Sequence, residues 1–152
     1  MMSSAEPAVL YVLPYLEAAG TERHVLALTE SLHREFRIGL LAPPGPLLTE
    51  FERLNVDYTP FTGLHVNLSR GLREFRDGLR SMVERFRPDV IHVHAGPELS
   101  VLVRTVTRHI PIVLTIHAFH GKHAEANYRL AGGLARLAGV QRGIAVSHSE
   151  AR

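Results

Sequence analysis

The sequence predicts an α/β fold: a doubly wound, Rossmann-like parallel sheet of about six strands with helices on both faces. Three observations carry this. Short apolar runs recur along the chain, the pattern of strands buried on both faces. Between them lie stretches whose apolar residues recur at steps of three and four, as one face of a helix requires. Proline and glycine clusters punctuate the changes from one to the other. With 152 residues, 45% hydrophobic and 21% charged, the chain fits a single domain over residues 1–152. Such a domain buries roughly 70% of the surface its unfolded form exposes, and this composition excludes a disordered or low-complexity chain.

The elements follow in order. Val9 to Leu13 is the first strand, closed by Pro14. Glu22 to Leu32 sets Val25, Leu28 and Leu32 at helical spacing, with Thr21 as the expected N-cap. Arg37 to Leu41 is the second strand, ended by Pro43-Pro44-Gly45-Pro46. A short helix over Leu47 to Leu54 leads to a short third strand, Val56 to Thr59. The strongest helix is Leu68 to Phe86, where Leu68, Leu72, Phe75, Leu79, Met82 and Phe86 form one stripe ahead of Pro88. Val90 to Val93 is the fourth strand, Leu99 to Val106 a helix, and Ile112 to Ile116 the fifth strand. Tyr128 to Leu137 is a helix weakened by Gly132 and Gly133, and Gly143 to Val146 is the sixth strand. Ser147 stands where a further helix would be capped. Right-handed crossovers then place the strands in the order 3-2-1-4-5-6.

Composition narrows the function classes. A formal net charge of +2 argues against nucleic acid as a partner, although sixteen of the seventeen basic residues are arginine. No apolar run approaches the ~18 residues of a membrane span, and Met1 to Pro7 lacks the basic start of a secretory signal. The absence of cysteine removes disulfides and thiolate metal sites and fits a cytoplasmic address.

In an open α/β sheet, ligands bind beyond the carboxyl ends of the strands. Four segments fall there: Pro14 to Glu22, His94 to Glu98, His117 to His123, and Ser147 to Glu150. In the first, Gly20 lets a backbone approach a ligand, and the free N–H groups of a helix start suit phosphate. The alternative is a plain turn glycine beside a capping Thr21. In the second, alternation places His92 and His94 on one side of a strand, as a pair of metal ligands would be. The alternative is a hydrogen-bonded core histidine at 92 and a cleft-facing one at 94. In the third, His117 follows the last apolar residue of a strand and is placed to donate to a phosphate or sugar hydroxyl, or to move a proton. His120, His123 and Lys122 share its Gly-containing loop, and side chains that simply face water are the plainer reading of His120 and His123. Along the long helix, Arg73, Arg76 and Arg80 share a flank with Arg87 beyond it. They form either a solvated face with local ion pairs or a basic stripe resting on anionic lipid, which would place the chain at the inner face of the membrane.

The ordered set Gly-Thr-Glu-Arg at 20–23, Arg-Pro-Asp-Val-Ile-His-Val-His at 87–94, Pro-Ile-Val-Leu-Thr-Ile-His at 111–117 and Gly-Ile-Ala-Val-Ser at 143–147 resembles the N-terminal, acceptor-side domain of family 4 retaining glycosyltransferases. These are GT-B enzymes, with two Rossmann-like domains around a cleft. The resemblance implies a nucleotide-sugar donor as co-substrate, no cofactor and no required metal. It implies a carbohydrate or lipid-linked acceptor and, as partner, a C-terminal domain that holds the nucleotide, so that this chain alone is inactive. Gly20 matches the second glycine of the family's donor-diphosphate loop, while Ala19 stands in place of the first. Thr21 and Glu22 belong to the same loop, Glu22 at its acidic position. His117 matches the histidine that reaches donor sugar and phosphate, and Ser147 the Val-Ser element before the next helix. His94 and His120 are expected to line the acceptor cleft. Two other readings stand beside this one: a carbohydrate- or phosphate-binding module without catalysis, and a metal-dependent hydrolase using His92, His94 and His117. A nicotinamide dehydrogenase is disfavoured, because Pro43-Pro44-Gly45 occupies the place of the acidic ribose-binding residue.

Overall fold

In a computed structural model that describes residues 6–117 and 122–146, six parallel strands alternate with five helices. They are β1 (Ala8–Val12), α1 (Gly20–Leu32), β2 (Arg37–Ala42), α2 (Leu48–Arg53), β3 (Asp57–Pro60) and α3 (Leu68–Arg85), then β4 (Val90–His94), α4 (Pro97–Val106), β5 (Ile112–Ile116), α5 (Ala124–Leu137) and β6 (Arg142–Ala145). The sheet order is β3-β2-β1-β4-β5-β6, the arrangement expected from the sequence. Its switch point lies at β1, which pairs with β2 on one side and β4 on the other.

Alternation along the strands divides the core into two layers. Leu10 and Val12 of β1 join Ile91 and Val93 of β4 against Phe75, Leu79 and Met82 of α3 and Val103 of α4. Val9 and Tyr11 point the other way, with Ile38 and Leu40 of β2, onto Val25 of α1 and Phe51 of α2. The apolar stripe of α3 is therefore the main cover of one face, though Leu68 at its start is 60% exposed and takes no part. Asn67 caps that helix, its side chain accepting from the Arg70 N–H at 3.0 Å. Gly39 lets α3 come close, since a Cβ there would stand 2.7 Å from Met82 Cε. Asp89 clips β4 to its neighbour by accepting the Ala8 N–H at 2.8 Å.

Several element starts differ from expectation. The first helix begins at Gly20 rather than Glu22, and its N-cap is Ala19, which has no side-chain hydrogen bond, rather than Thr21. A hydroxyl at the cap is the local preference, but the extended backbone of Ala19 (φ −97°, ψ −178°) already turns the chain into the helix two residues earlier. Pro97, at the first helical turn of α4, starts that helix ahead of Leu99, since a missing N–H costs nothing there. The fifth helix starts at Ala124, four residues before Tyr128. β3 and β6 each sit one residue away from the expected span, an edge shift on strands paired on one side only. Among the described residues no helix is long and apolar enough to cross a membrane.

Candidate functional site

The carboxyl ends of β1, β4 and β5 lie side by side, and three of the four segments singled out above are brought to that edge. Ser147 and His120 lie outside the described residues. Gly20 opens α1 immediately after the β1 loop, and a Cβ built on it would meet nothing within 4 Å. The space beside its backbone is open, so no packing among the described residues demands glycine at 20.

His92 and His94 project from β4 on the α1 side, in the same layer as Tyr11. Their rings lie 4.0 Å apart, centroid to centroid, and Tyr11 packs 5.6 Å from each. His92 Nε2 and Thr115 Oγ1 of β5 share a hydrogen bond of 2.7 Å, so residue 92 is the hydrogen-bonded histidine that its strand position suggests. His94 differs from expectation. It is fully buried, beneath the edge rather than lining an open cleft, and neither ring nitrogen has a hydrogen-bond partner among the described residues. The strand ends at His94, and Ala95 turns in the left-handed region with φ of 60°. That conformation costs a residue with a Cβ about 1 kcal/mol.

His117 completes the group, half-buried just past β5, 5.9 Å from the His94 ring. His24, which the sequence alone does not single out, joins from the second turn of α1. Its ring is 5.7 Å from His117 and 6.1 Å from His94. A helical position one turn from Gly20 has no signal in a strand-end search, although the stretch is legible afterwards as helix facing sheet. Glu22 points inward from the same helix and is 4% exposed, with Oε2 unpartnered among the described residues.

Burial governs the electrostatics here. It drives the His92 pKa down to about 4, helped by His24 and His117. His94 falls to about 2, again chiefly by burial, with His92, His117 and His24 adding repulsion. Both imidazoles are neutral at neutral pH. Burial raises the Glu22 carboxyl, against the pull of the Glu22 and Ala19 backbone amides, and Glu17 raises it further. Tyr11 is pushed up to about 12 by burial, which keeps its phenol protonated. Among the described residues no group of three or more His, Cys, Asp or Glu is arranged to hold a metal ion, and His92 spends its Nε2 on Thr115. The metal-hydrolase reading therefore has no ligand set in the described residues to rest on.

On the other side of β1 the same edge forms a cavity of about 590 Å³, walled by the ends of β1, β2 and β3 and by the loop before α3. Tyr15, Phe61 and Val66 are among its lining residues. Arg73, Arg76 and Arg80 lie together elsewhere, in a shallow groove of α3 that also contains Asp77.

Comparison with known proteins gives this geometry its context. The family model described as Glycosyltransferase Family 4 matches residues 18–152. No curated protein sequence matches the chain. Among solved structures, MurG of Acinetobacter baumannii superposes with a TM-score of 0.63 at 13% identity, covering 91% of this chain and 41% of that one. CalG4, the calicheamicin glycosyltransferase, gives 0.56 at 14% identity over 90% of this chain and 38% of its own. The glycotransferase of kitacinnamycin gives 0.50 at 15% identity over 88% and 41%. At these identities the likeness is one of fold, and the chain spans about two-fifths of the length of each structure.

Proposed function

Because the chain belongs to glycosyltransferase family 4 and has the Rossmann-like fold of one half of a GT-B enzyme, we propose that it is the acceptor-side half of a retaining, nucleotide-sugar-dependent glycosyltransferase. The observation that carries this reading is the meeting of two elements at the carboxyl edge. The start of α1, open beside Gly20, stands one helical turn from His24, whose ring is 5.7 Å from His117. The unpaired N–H groups of a helix start favour an anion, here the donor diphosphate. His117 reaches the donor sugar and phosphate, and Thr21, Glu22 and Ser147 contribute to donor binding in this reading. His94, buried behind His117, shapes the site rather than touching the acceptor, and His120 stays on the acceptor side of this reading.

Transfer breaks the bond between the anomeric carbon and the leaving phosphate oxygen and joins that carbon to an acceptor hydroxyl oxygen. The hydroxyl proton passes to the departing phosphate. Hydrogen bonds from backbone amides and an imidazole, fixed in advance, stabilise the charge that grows on that phosphate. The partner domain supplies the nucleotide pocket, so the isolated chain does not turn over. In this reading the chain works in the cytoplasm, and Arg73, Arg76 and Arg80 are the surface that meets anionic lipid.

The test is transfer from a panel of nucleotide sugars, read by mass. This chain alone gives no product, and robust turnover by it would overturn the division of labour. When the chain is joined to its C-terminal domain, His117→Ala lowers kcat about 100-fold. Gly20→Val raises the donor KM about tenfold by blocking the amides that meet the phosphate, with little effect on stability expected because a Cβ at this position stands in open space. A Gly20→Val enzyme with unaltered donor KM would remove the phosphate site from α1.

A further inference from the structure

We propose that Val66 and Leu68 enter the acyl layer of an anionic bilayer, tipping the start of α3 into the membrane and setting the mouth of the β1–β3 cavity against it. This deepens the reading of Arg73, Arg76 and Arg80 as the lipid-facing surface, and it rests on that reading.

Local ion pairing does not account for the arginines of α3. Among the described residues the ion pairs are Arg70–Glu74, Arg85–Asp57 and Arg129–Glu125. The guanidinium groups of Arg73, Arg76 and Arg80 form neither an ion pair nor a hydrogen bond there, although Asp77 stands four residues from Arg73 and three from Arg80. All three side chains are exposed, and the groove they line sets them against one carboxylate. An unspent positive strip of this kind fits an anionic surface.

What adjoins the strip separates lipid from other anions. Leu68, Leu72, Arg76 and Arg80 follow one another at steps of four along α3, with Arg73 beside them, so the row is apolar at its start and basic beyond. Leu68 is 60% exposed, and Val66, two residues before it, 70%. Neither side chain joins either core cluster. The pair is held on an ordered turn: the Val66 N–H donates to the Gly63 carbonyl at 2.9 Å, and Asn67 between them caps the helix. Nucleic acid would engage the arginines and leave this apolar pair in water. A bilayer takes both, because apolar side chains bury ~5–10 Å into the boundary of headgroups and acyl chains while arginines stay with the phosphates. Arg73 lies ~8 Å along the helix axis from Leu68 and Arg80 ~18 Å, so an inclined α3 reaches both layers at once. Val66 also lines the cavity together with Tyr15, which is 44% exposed. With Val66 in the membrane, the cavity mouth therefore faces the headgroups.

The test is co-sedimentation of the full chain with phosphatidylcholine vesicles, with and without about one-third phosphatidylglycerol. Binding is expected to the anionic vesicles only. The triple variant Arg73→Gln/Arg76→Gln/Arg80→Gln weakens it about 100-fold, at about fivefold for each arginine. The same loss of charge at Arg34, Arg136 and Arg142, exposed elsewhere, leaves binding within about threefold, because solvent screens remote charges. Leu68→Ser weakens it about tenfold through the apolar area no longer buried. The chain has no tryptophan, so Leu68→Trp supplies a single reporter, whose emission should shift to the blue on anionic vesicles and be quenched by lipids brominated along the acyl chain. Unshifted emission with arginine-dependent binding intact would overturn the insertion and leave the lipid reading of the arginines standing. Equal binding by the triple variant and the parent, or capture by DNA of random sequence in place of vesicles, would overturn both. No donor takes part, so the glycosyltransferase reading stands or falls separately in the transfer assay.

Discussion

On one side of β1, the ends of β4 and β5 gather imidazoles; on the other, the ends of β2 and β3 wall a cavity with proline, leucine and phenylalanine. Both regions occupy the same edge of one sheet, yet their polar groups are treated in opposite ways. The histidine side leaves buried nitrogen and oxygen atoms of His94 and Glu22 without partners among the described residues. Around the cavity Arg70 pairs with Glu74, which also accepts the Thr62 N–H, and the Val66 and Asn67 N–H groups donate to the Gly63 carbonyl. Buried polar atoms lacking partners lower stability, and they persist in proteins mostly where a site needs them. The contrast puts buried, unpartnered polar atoms on the β4–β5 side and a cavity of mixed apolar and polar lining on the β2–β3 side.

Acid should break the first region long before the second. His92 and His94 have folded-state pKa values lowered to about 4 and about 2 from 6.5. A lowered histidine pKa means that the unfolded chain binds more protons, so stability is complete above pH 6.5 and is lost as the pH falls toward those values. By pH 5 each imidazole should cost about 2 kcal/mol, or about 4 kcal/mol together. Urea unfolding at pH 7 and pH 5 measures this, and a His92→Gln/His94→Leu variant should lose most of the difference. An equal pH response in that variant would place the acid sensitivity elsewhere.

A smaller effect tests whether the turn below the site is strained. Ala95→Gly should raise stability by up to about 1 kcal/mol, less the extra backbone entropy of glycine, by relieving the left-handed turn at φ 60°. Thermal unfolding reads it directly, and a loss of stability would show that the turn stores no strain.

The smallest change belongs to the cavity. The Arg70 hydrogen bond, with that of Thr62, holds the Glu74 carboxyl at about 2, so its charge is retained at ordinary acidity and lost only as the pH falls through that value. Glu74→Gln should move Tm by less than about 1 °C, because the ion pair is exposed. The Thr62 amide, which donates to Glu74, should nevertheless exchange faster with solvent. Unchanged Thr62 exchange would mean that the loop is held by its Gly63 turn alone.

Much of this molecule is legible in its residues, and the reason differs from part to part. Wholly apolar strands such as β1 and the stripe of α3 declare themselves because burial repeats with the period of the backbone. Residue 92 and residue 94 fall on one side for the same reason. Gly20 and His117 were placed at a common edge by topology, since strand order follows from the handedness of crossovers. The cap of α1 is not legible, because Thr21 carries the hydroxyl a cap prefers while the backbone turns at Ala19, which no side chain marks. His24, the depth of His94 and the cavity between Tyr15 and Phe61 left no local trace.

The class of fold, the strand order and the arrival of Gly20, His94 and His117 at the carboxyl edge were thus already written in the residues, because hydrophobic period and chain chirality act over a few neighbouring residues. What surrounds them came from the tertiary packing alone: the enclosure of His94, the approach of His24 to within 6.1 Å of it, and the cavity that the loops after β1, β2 and β3 leave between them. Those outcomes depend on distances between segments far apart in the chain, which no local pattern encodes.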